Sequence, residues 1–98
     1  MNTNISLSHR KQEPESSVLY IVGTPIGNLD DISARALNIL KNVSMIACED
    51  TRTTSKLLNH FNISNILISF HKYSSSKKSK FLIEKLLDGS SIALVSDA

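Results

Sequence analysis

Four short runs of mostly aliphatic residues punctuate the chain, at positions 18–22, 43–48, 66–69 and 92–95. Short runs with little polar alternation are typical of strands that are buried on both faces of a sheet. The sequence therefore predicts four strands that share one core.

Stretches with helical spacing separate these runs. One set of apolar positions spaced three or four apart is Leu29, Ile32, Ala36 and Leu40. Asp30 or Asp31 is the predicted N-cap of this first helix, because a short carboxylate side chain can accept from the first free N–H groups. A second helix is predicted over residues 53–61, and a third from about Ser75 to Gly89, where the glycine ends it.

The alternation of strands and helices predicts the fold class. Short connections between alternating elements favour right-handed crossovers, and hence an α/β domain with a mostly parallel sheet flanked by helices. Such sheets bind ligands at the loops that follow the carboxyl ends of their strands. In this sequence those loops are residues 23–31, 49–53, 70–76 and 96 onward.

We expect the domain to occupy residues 18–98, preceded by a flexible tail, residues 1–17, that shows no hydrophobic periodicity. The last predicted strand stops immediately before the chain does. Because a further crossover helix is needed to cover the second face of a parallel sheet, we also expect this domain to be incomplete.

Composition narrows the class of protein. Hydrophobic residues make up 41% of the chain. No apolar run approaches the ~18 residues of a membrane span, and the tail has no apolar core of a secretory signal. Cys48 is the only cysteine, which excludes an internal disulfide and a multi-cysteine zinc site and fits a cytoplasmic location. His9 and His60 support no metal geometry, and no metal site is predicted.

Charge is distributed unevenly, although the net charge is only +2. Residues 51–83 carry six basic side chains and no acidic one. A stretch of one sign suits a polyanionic partner such as RNA, but a solvated surface gives the same pattern. Charge alone leaves both interpretations open.

The loop after the first run contains residues suited to close backbone approach. Gly23 and Gly27 permit unusual backbone angles, and Pro25 stiffens the turn. The spacing matches neither the dinucleotide-binding glycine pattern nor a Walker loop. An ordinary strand-to-helix turn is the interpretation that spacing alone favours.

Two carboxylates and an arginine follow the second run: Glu49, Asp50 and Arg52. A carboxylate here can accept a proton, and the guanidinium can hold a phosphate through two hydrogen bonds. In the structural alternative, Asp50 or Thr51 caps the next helix while Arg52 pairs with an acid.

Aromatic and basic residues are interleaved after the third run, from Phe70 to Lys80. This pattern is typical of single-stranded nucleic acid binding, where bases stack and phosphates meet cations. Lysines on the solvent face of an amphipathic helix explain it as well. His71 is interpreted as an ordinary loop residue.

Three of these segments together resemble a known family. They are residues 19–32, 47–53 and 94–98, which contain the sequence motifs Gly-Thr-Pro-Ile-Gly-Asn-Leu, Glu-Asp-Thr-Arg and Ser-Asp-Ala. From about Val18 to Ala98 the chain is similar to the bacterial small-subunit ribosomal RNA (cytidine-2′-O)-methyltransferases, a family of the tetrapyrrole methylase superfamily. The similarity covers well under half of the family's usual length.

The resemblance implies the N-terminal part of a tetrapyrrole methylase-like domain, with S-adenosylmethionine bound in a cleft between two α/β domains. It implies methyl transfer to a ribose 2′-hydroxyl of small-subunit ribosomal RNA. The residues expected to bind the donor are Gly23, Thr24, Pro25, Ile26, Gly27, Asp97 and Ala98. Asp50 or Glu49 is expected to accept the hydroxyl proton. The residues expected to hold RNA phosphates are Arg52, Lys72, Lys77 and Lys78.

Two alternatives to an RNA methyltransferase stay open. Members that act on tetrapyrroles usually carry Gly-x-Gly-Pro-Gly-Asp in the first loop, whereas this chain has Ile26 and Asn28 in place of that proline and that acid. The departure favours the RNA branch over a tetrapyrrole or diphthamide-type methylase. The other alternative is an RNA-contacting α/β module without catalysis. We expect the 98 residues alone to be inactive and, with an open sheet edge at residues 92–95, to self-associate as a homodimer.

Overall fold

The computed structural model describes residues 14–25, 27–71 and 73–97. The strands are β1 (Leu19–Thr24), β2 (Met45–Cys48), β3 (Leu67–Ser69) and β4 (Ile92–Asp97). The α-helices are α1 (Ala34–Asn42), α2 (Thr51–His60) and α3 (Ser76–Leu87), and a short 3₁₀ helix at Leu29–Asp31 precedes α1. Strands and helices alternate along the described chain as the hydrophobic pattern predicts.

The four strands form one parallel sheet in the order β1-β4-β2-β3. β4 lies between β1 and β2, so that Ile92 is the register partner of both Leu19 and Met45. β3 pairs with the other side of β2, where Leu67 lies opposite Ile46. The predicted α/β class with a parallel sheet is confirmed.

The path of the chain across the sheet decides which face each helix covers. The connections from β1 to β2 and from β2 to β3 run in one direction, and the connection from β3 to β4 returns. Right-handed crossovers therefore place α1 and α2 on one face and α3 on the other. The packing agrees, since Leu40 and Leu57 cluster with Ile46. On the opposite face Leu82 clusters with Ala47.

The two central strands are covered on both faces. Every residue of β2 is buried, and Ile46 and Ala47 have no exposed surface. Ile92 and Ala93 of β4 are equally inaccessible. This double burial is the physical reason that the two runs show almost no polar alternation.

The first helix begins later than predicted. Ser33 is the N-cap of α1, and its Oγ accepts from the N–H of Ala36 at 3.0 Å. The N–H of Asp30 is itself capped, by Oδ1 of Asn28 at 3.0 Å. The predicted cap at Asp30 or Asp31 is therefore wrong, because both belong to the 3₁₀ helix and the backbone becomes extended before α1 starts.

β1 also continues past the predicted end at Val22. Gly23 pairs with Ser96 and Thr24 with Asp97, so the ladder with β4 keeps both residues extended. The loop therefore starts at residue 25, two residues later than the sequence indicated.

The expected open edge at residues 92–95 is wrong. β4 pairs on both sides, and the edges of the described sheet are β1 and β3. A crossover that returns from β3 inserts β4 into the gap between β1 and β2 and closes the core there. Self-association as a homodimer stays a prediction, but β4 cannot pair with a second copy, because both of its sides are already paired.

The start of the described chain is attached to the sheet. The N–H of Ser17 donates to the carbonyls of Gly89 and Ser90, just before β4. Residues 1–13 of the predicted tail lie outside the described residues. Within the described ranges, no helix combines the length and the apolar character needed to traverse a bilayer.

Asn65 connects the end of α1 to the strand that follows α2. Its Nδ2 donates to the carbonyls of Leu40 at 2.8 Å and Val43 at 3.0 Å, and its Oδ1 accepts from the N–H of Ile66 at 2.7 Å. Carbonyls at a helix end have no partner within the helix, so a side chain that satisfies them stabilises the end. One amide thereby fixes the entry into β3.

Replacing Ser33 by Ala should lower the free energy of unfolding by about 1 kcal/mol, because the hydrogen bond that caps α1 is lost. Ser75 is the matched control, since it is the N-cap of α3 but its side chain makes no capping hydrogen bond. Chemical denaturation of S33A and S75A measures both effects. Equal destabilisation by the two variants would contradict the assignment.

Candidate functional site

A cavity of about 420 Å³ opens where the carboxyl ends of the strands meet, on the face of the sheet that α3 covers. Its lining combines one carboxylate, one imidazole, three hydroxyls and an apolar floor: Glu49, Phe70, His71, Ser74, Ser79, Leu94, Val95 and Ser96. Small-ligand sites usually measure about 300–1,000 Å³ and carry a few polar groups on an apolar surface. The cavity has the size and composition of such a site.

Three strands bring these side chains together. β2 is followed at once by Glu49, and β3 by Phe70 and His71. β4 contributes Ser96 near its carboxyl end. The N–H of Phe70 donates to the carbonyl of Cys48 at 2.8 Å, which prolongs the pairing of β3 with β2 into the loop. The site therefore rests on the rigid edge of the sheet.

The turn from residue 71 to residue 74 is held by a compact set of hydrogen bonds. The N–H of His71 donates to Oγ of Ser74 at 2.9 Å, and the N–H of Ser74 returns to the carbonyl of His71 at 2.8 Å. The N–H of Tyr73 donates to Nδ1 of the His71 ring at 3.1 Å. Both the backbone and the imidazole of His71 are thereby fixed at the cavity wall.

The two predicted catalytic carboxylates have different surroundings. Glu49 lines the cavity, whereas Asp50 is not among the lining residues. Asp50 is the N-cap of α2, where its Oδ1 accepts from the N–H of Arg52 at 2.9 Å and lies 3.5 Å from Nε of the same residue. The structural alternative for Asp50 therefore matches the observed contacts.

The pKa of Asp50 is lowered from its ordinary value of 3.8, chiefly by the hydrogen bond from the N–H of Arg52. Desolvation is the next largest effect and opposes it, while attraction to the guanidinium of Arg52 and a second backbone N–H, from Thr53, lower the pKa further. A carboxylate held in its charged form is a weak proton acceptor. Glu49 is therefore the stronger candidate for taking a proton in the cavity.

The predicted donor-binding loop meets the same edge of the sheet. Gly23 pairs with Ser96, and Oγ1 of Thr24 donates to the carbonyl of Ser96 at 3.5 Å. Gly23 lines a smaller cavity of about 220 Å³ beside α1, rather than the larger one. Pro25 is half-buried.

Gly27 is exposed and adopts a φ of +88°, a value that favours glycine. Ile26 and Ala98, both predicted to bind the donor, lie outside the described residues, and for Asp97 only the backbone pairing with Thr24 is described. The structure thus joins Gly23 and Thr24 to the cavity wall through β4. Donor binding by any of the seven residues stays a prediction.

The basic side chains predicted to bind RNA fall into two places. Lys77 is exposed and Lys78 half-buried at the start of α3, next to the lining residue Ser79. Arg52 is exposed at the start of α2, in a separate groove with Leu67. Lys72 lies outside the described residues. In the sequence, Lys78 is next to Ser79 and Lys72 is next to His71, whereas Arg52 lies in a groove of its own.

Sequence reasoning did not single out His71, Ser74, Ser79 or Ser96 as site residues. Three of them lie in or near the loops predicted to face a ligand, which was the signal that could have found them. Ser79 lies inside a helix and gave no such signal. Among the described residues, no group of three or more His, Cys, Asp or Glu is placed to hold a metal ion.

Comparison with known proteins shows that the chain matches a known protein family. The family model described as Tetrapyrrole (Corrin/Porphyrin) Methylases matches residues 18–97. This range includes all four strands and the complete described lining of the cavity.

Curated relatives match the same part of the chain. A protein of Vibrio cholerae named Ribosomal RNA small subunit methyltransferase I is 59% identical over 81 residues, which is 83% of this chain and 28% of the relative. A protein of the same name from Halalkalibacterium halodurans is 50% identical over 88 residues, covering 90% of this chain and 30% of the relative. The chain thus spans about a third of the length of the curated relatives it matches.

Replacing Asp50 by Asn isolates the charge of this cap, because Asn is also a good N-cap. A lowered pKa in the folded state means that the carboxylate adds stability above its unfolded pKa of 3.8, and that this contribution is lost as the pH falls through the folded value. The difference in free energy of unfolding between wild type and D50N should therefore be constant near neutral pH and shrink below pH 3.8.

Denaturation of both proteins across this pH range measures the effect. The variant R52M is the matched control, since it keeps the backbone N–H that dominates the pKa shift and removes only the guanidinium. R52M should therefore retain most of the pH dependence. A difference between wild type and D50N that grows on acidification would contradict the assignment.

Proposed function

The chain belongs to the tetrapyrrole (corrin/porphyrin) methylase family, and from that membership we propose that it forms part of an S-adenosylmethionine-dependent methyltransferase. The proposed acceptor is the ribose 2′-hydroxyl of a cytidine in small-subunit ribosomal RNA. The names of the relatives support RNA of the small subunit as the substrate class. A cytoplasmic location follows from this proposal, because ribosomal subunits are found there.

The placement of Glu49 carries the proposal. This carboxylate follows a buried strand and lines a cavity of small-ligand size at the carboxyl edge of the sheet. A ribose hydroxyl is a weak nucleophile, so a carboxylate that takes its proton as the new bond forms accelerates the reaction. Of the two predicted carboxylates, Glu49 lines the cavity and Asp50 is engaged as a helix cap.

The lining fits the proposed donor. When bound, S-adenosylmethionine supplies a methyl group on a positively charged sulfur. A carboxylate and the face of an aromatic ring both attract a cation, and the cavity offers Glu49 and Phe70. Leu94, which packs on the same face of the sheet as Phe70, supplies apolar surface that would keep water from the reacting groups. The sheet edge holds these groups in fixed positions, which favours a displacement that depends on alignment.

The basic residues are proposed to bind the phosphates of the RNA substrate. Lys78 directly precedes Ser79 on α3, and Lys77 lies one residue before Lys78. We assign both side chains to phosphates of an RNA strand whose ribose enters the cavity. We assign the same role to Lys72 and, further away, to Arg52. Contacts of this kind position the strand and do not read its sequence.

The test is transfer of labelled methyl from S-adenosylmethionine to unmodified small ribosomal subunits. One sample is the 98-residue chain, for which the sequence predicts no turnover. The other is a chimera in which residues 18–97 replace the matching segment of the Vibrio cholerae relative. The chimera should modify a cytidine ribose, and E49Q should lower its rate by about 10²–10⁴-fold.

E84Q is the matched control, because Glu84 is exposed on α3 and does not line the cavity. E84Q should retain the wild-type rate. An inactive chimera that binds RNA in a salt-dependent manner, without affinity for S-adenosylmethionine, would favour the RNA-contacting module instead. Equal rates for wild type and E49Q would remove Glu49 from the proposed role.

Replacing Gly23 by Val in the chimera should lower the affinity for S-adenosylmethionine by about tenfold or more and leave RNA binding intact. A Cβ added at Gly23 meets no heavy atom within 4 Å. We therefore expect the loss to come from a collision of the larger side chain with the donor at this edge. Calorimetry measures the donor affinity, and filter binding measures the RNA affinity.

Leu19→Val is the control, because it alters the amino end of the same strand, away from the cavity. L19V should bind the donor like wild type. Unchanged donor affinity in G23V would contradict the placement of the donor at this edge.

A further inference from the structure

The His71 ring is constrained by a hydrogen bond of known direction. The N–H of Tyr73 lies 3.1 Å from Nδ1, and a backbone N–H can only donate. Nδ1 must therefore be the accepting nitrogen and carry no proton. In a neutral imidazole the single proton then sits on Nε2.

This tautomer determines what His71 can offer a ligand. Among the described residues, no side chain or backbone group hydrogen-bonds Nε2. His71 lines the cavity, and its turn is fixed by the two hydrogen bonds with Ser74. The ring therefore presents a donor, Nε2–H, from a support that is already ordered before a ligand arrives.

We propose that His71 is a positioning residue whose Nε2–H donates a hydrogen bond to an oxygen of the ligand bound in this cavity. The proposal deepens the proposed function and rests on it for the identity of the ligand. The oxygen belongs either to the methyl donor or to the RNA, and the experiment separates these two sources.

His71 and Glu49 thereby have opposite roles in one cavity. To accept a proton on Nε2, the neutral ring would have to move its proton to Nδ1, where the N–H of Tyr73 already points. That change would replace a hydrogen bond by a collision between two N–H groups. Glu49 keeps the role of proton acceptor, and His71 orients the group that reacts with or lies beside it.

The tautomer is tested directly on the 98-residue chain. Nitrogen NMR of the neutral His71 ring should show an unprotonated Nδ1 and a protonated Nε2. A ring with its proton on Nδ1 would overturn the proposal, whatever the activity of the protein.

The role is tested in the chimera with two substitutions of different chemistry. H71L removes the donor, whereas H71Q places an amide N–H near the position of Nε2. H71L should lower kcat/KM by about tenfold, the value of one hydrogen bond, and H71Q should stay within about threefold of wild type. A merely structural role for His71 would not be rescued by Gln. Equal losses in H71L and H71Q would therefore overturn the proposal.

His60→Leu is the matched control, because His60 is exposed and contacts Asp30 at 3.0 Å, and it does not line the cavity. H60L should behave like wild type. A loss of affinity for S-adenosylmethionine in H71L assigns the oxygen to the donor, and a loss of affinity for RNA assigns it to the RNA. If H71L changes neither affinity nor rate, the proposal fails. If the wild-type chimera transfers no methyl group, the proposed function fails, while the tautomer and the two affinities still decide the role of His71.

Discussion

The insertion of β4 between β1 and β2 is the feature on which the rest of the structure depends. A parallel strand with neighbours on both sides must also be covered on both faces, since its polar backbone is satisfied by the ladders and its side chains are apolar. Ile92 and Ala93 meet this condition with no exposed surface. The return of the chain from β3 then forces α3 onto the face opposite α1 and α2. The two hydrophobic clusters are the direct result.

The same insertion creates the cavity. Ser96 of β4 lies beside Glu49, which follows β2. His71, in the loop after β3, lines the same cavity. These residues are far apart in the sequence and meet only because parallel strands end at one edge. The cavity is accordingly built on backbone that the sheet holds in place, and the turn at His71 adds its own hydrogen bonds with Ser74. Glu49 and His71 thus line one cavity at the edge of the sheet.

The loop after β2 shows how adjacent residues acquire different tasks. Asp50 starts α2, and the free N–H groups of that helix favour its charged form. Glu49 precedes the helix and has no such partner in the turn, so its side chain is left to the cavity. A motif of two neighbouring carboxylates therefore divides into one that stabilises the fold and one that is available for chemistry.

The sequence by itself determined the fold class, the number of strands and their parallel direction, because double burial leaves apolar runs and alternating helices leave periodic faces. It also indicated three of the segments that line the cavity, and the motifs around Gly23 and Glu49 identified the family. Strand order, the internal position of β4 and the start of α1 at Ser33 were decided by tertiary structure. Periodicity records whether a residue is buried but not which strand lies next to it, and the choice among neighbouring capping residues depends on where the backbone leaves the sheet. For the same reason the sequence could not place Glu49 and His71 in one cavity, since that result depends on contacts between segments distant along the chain.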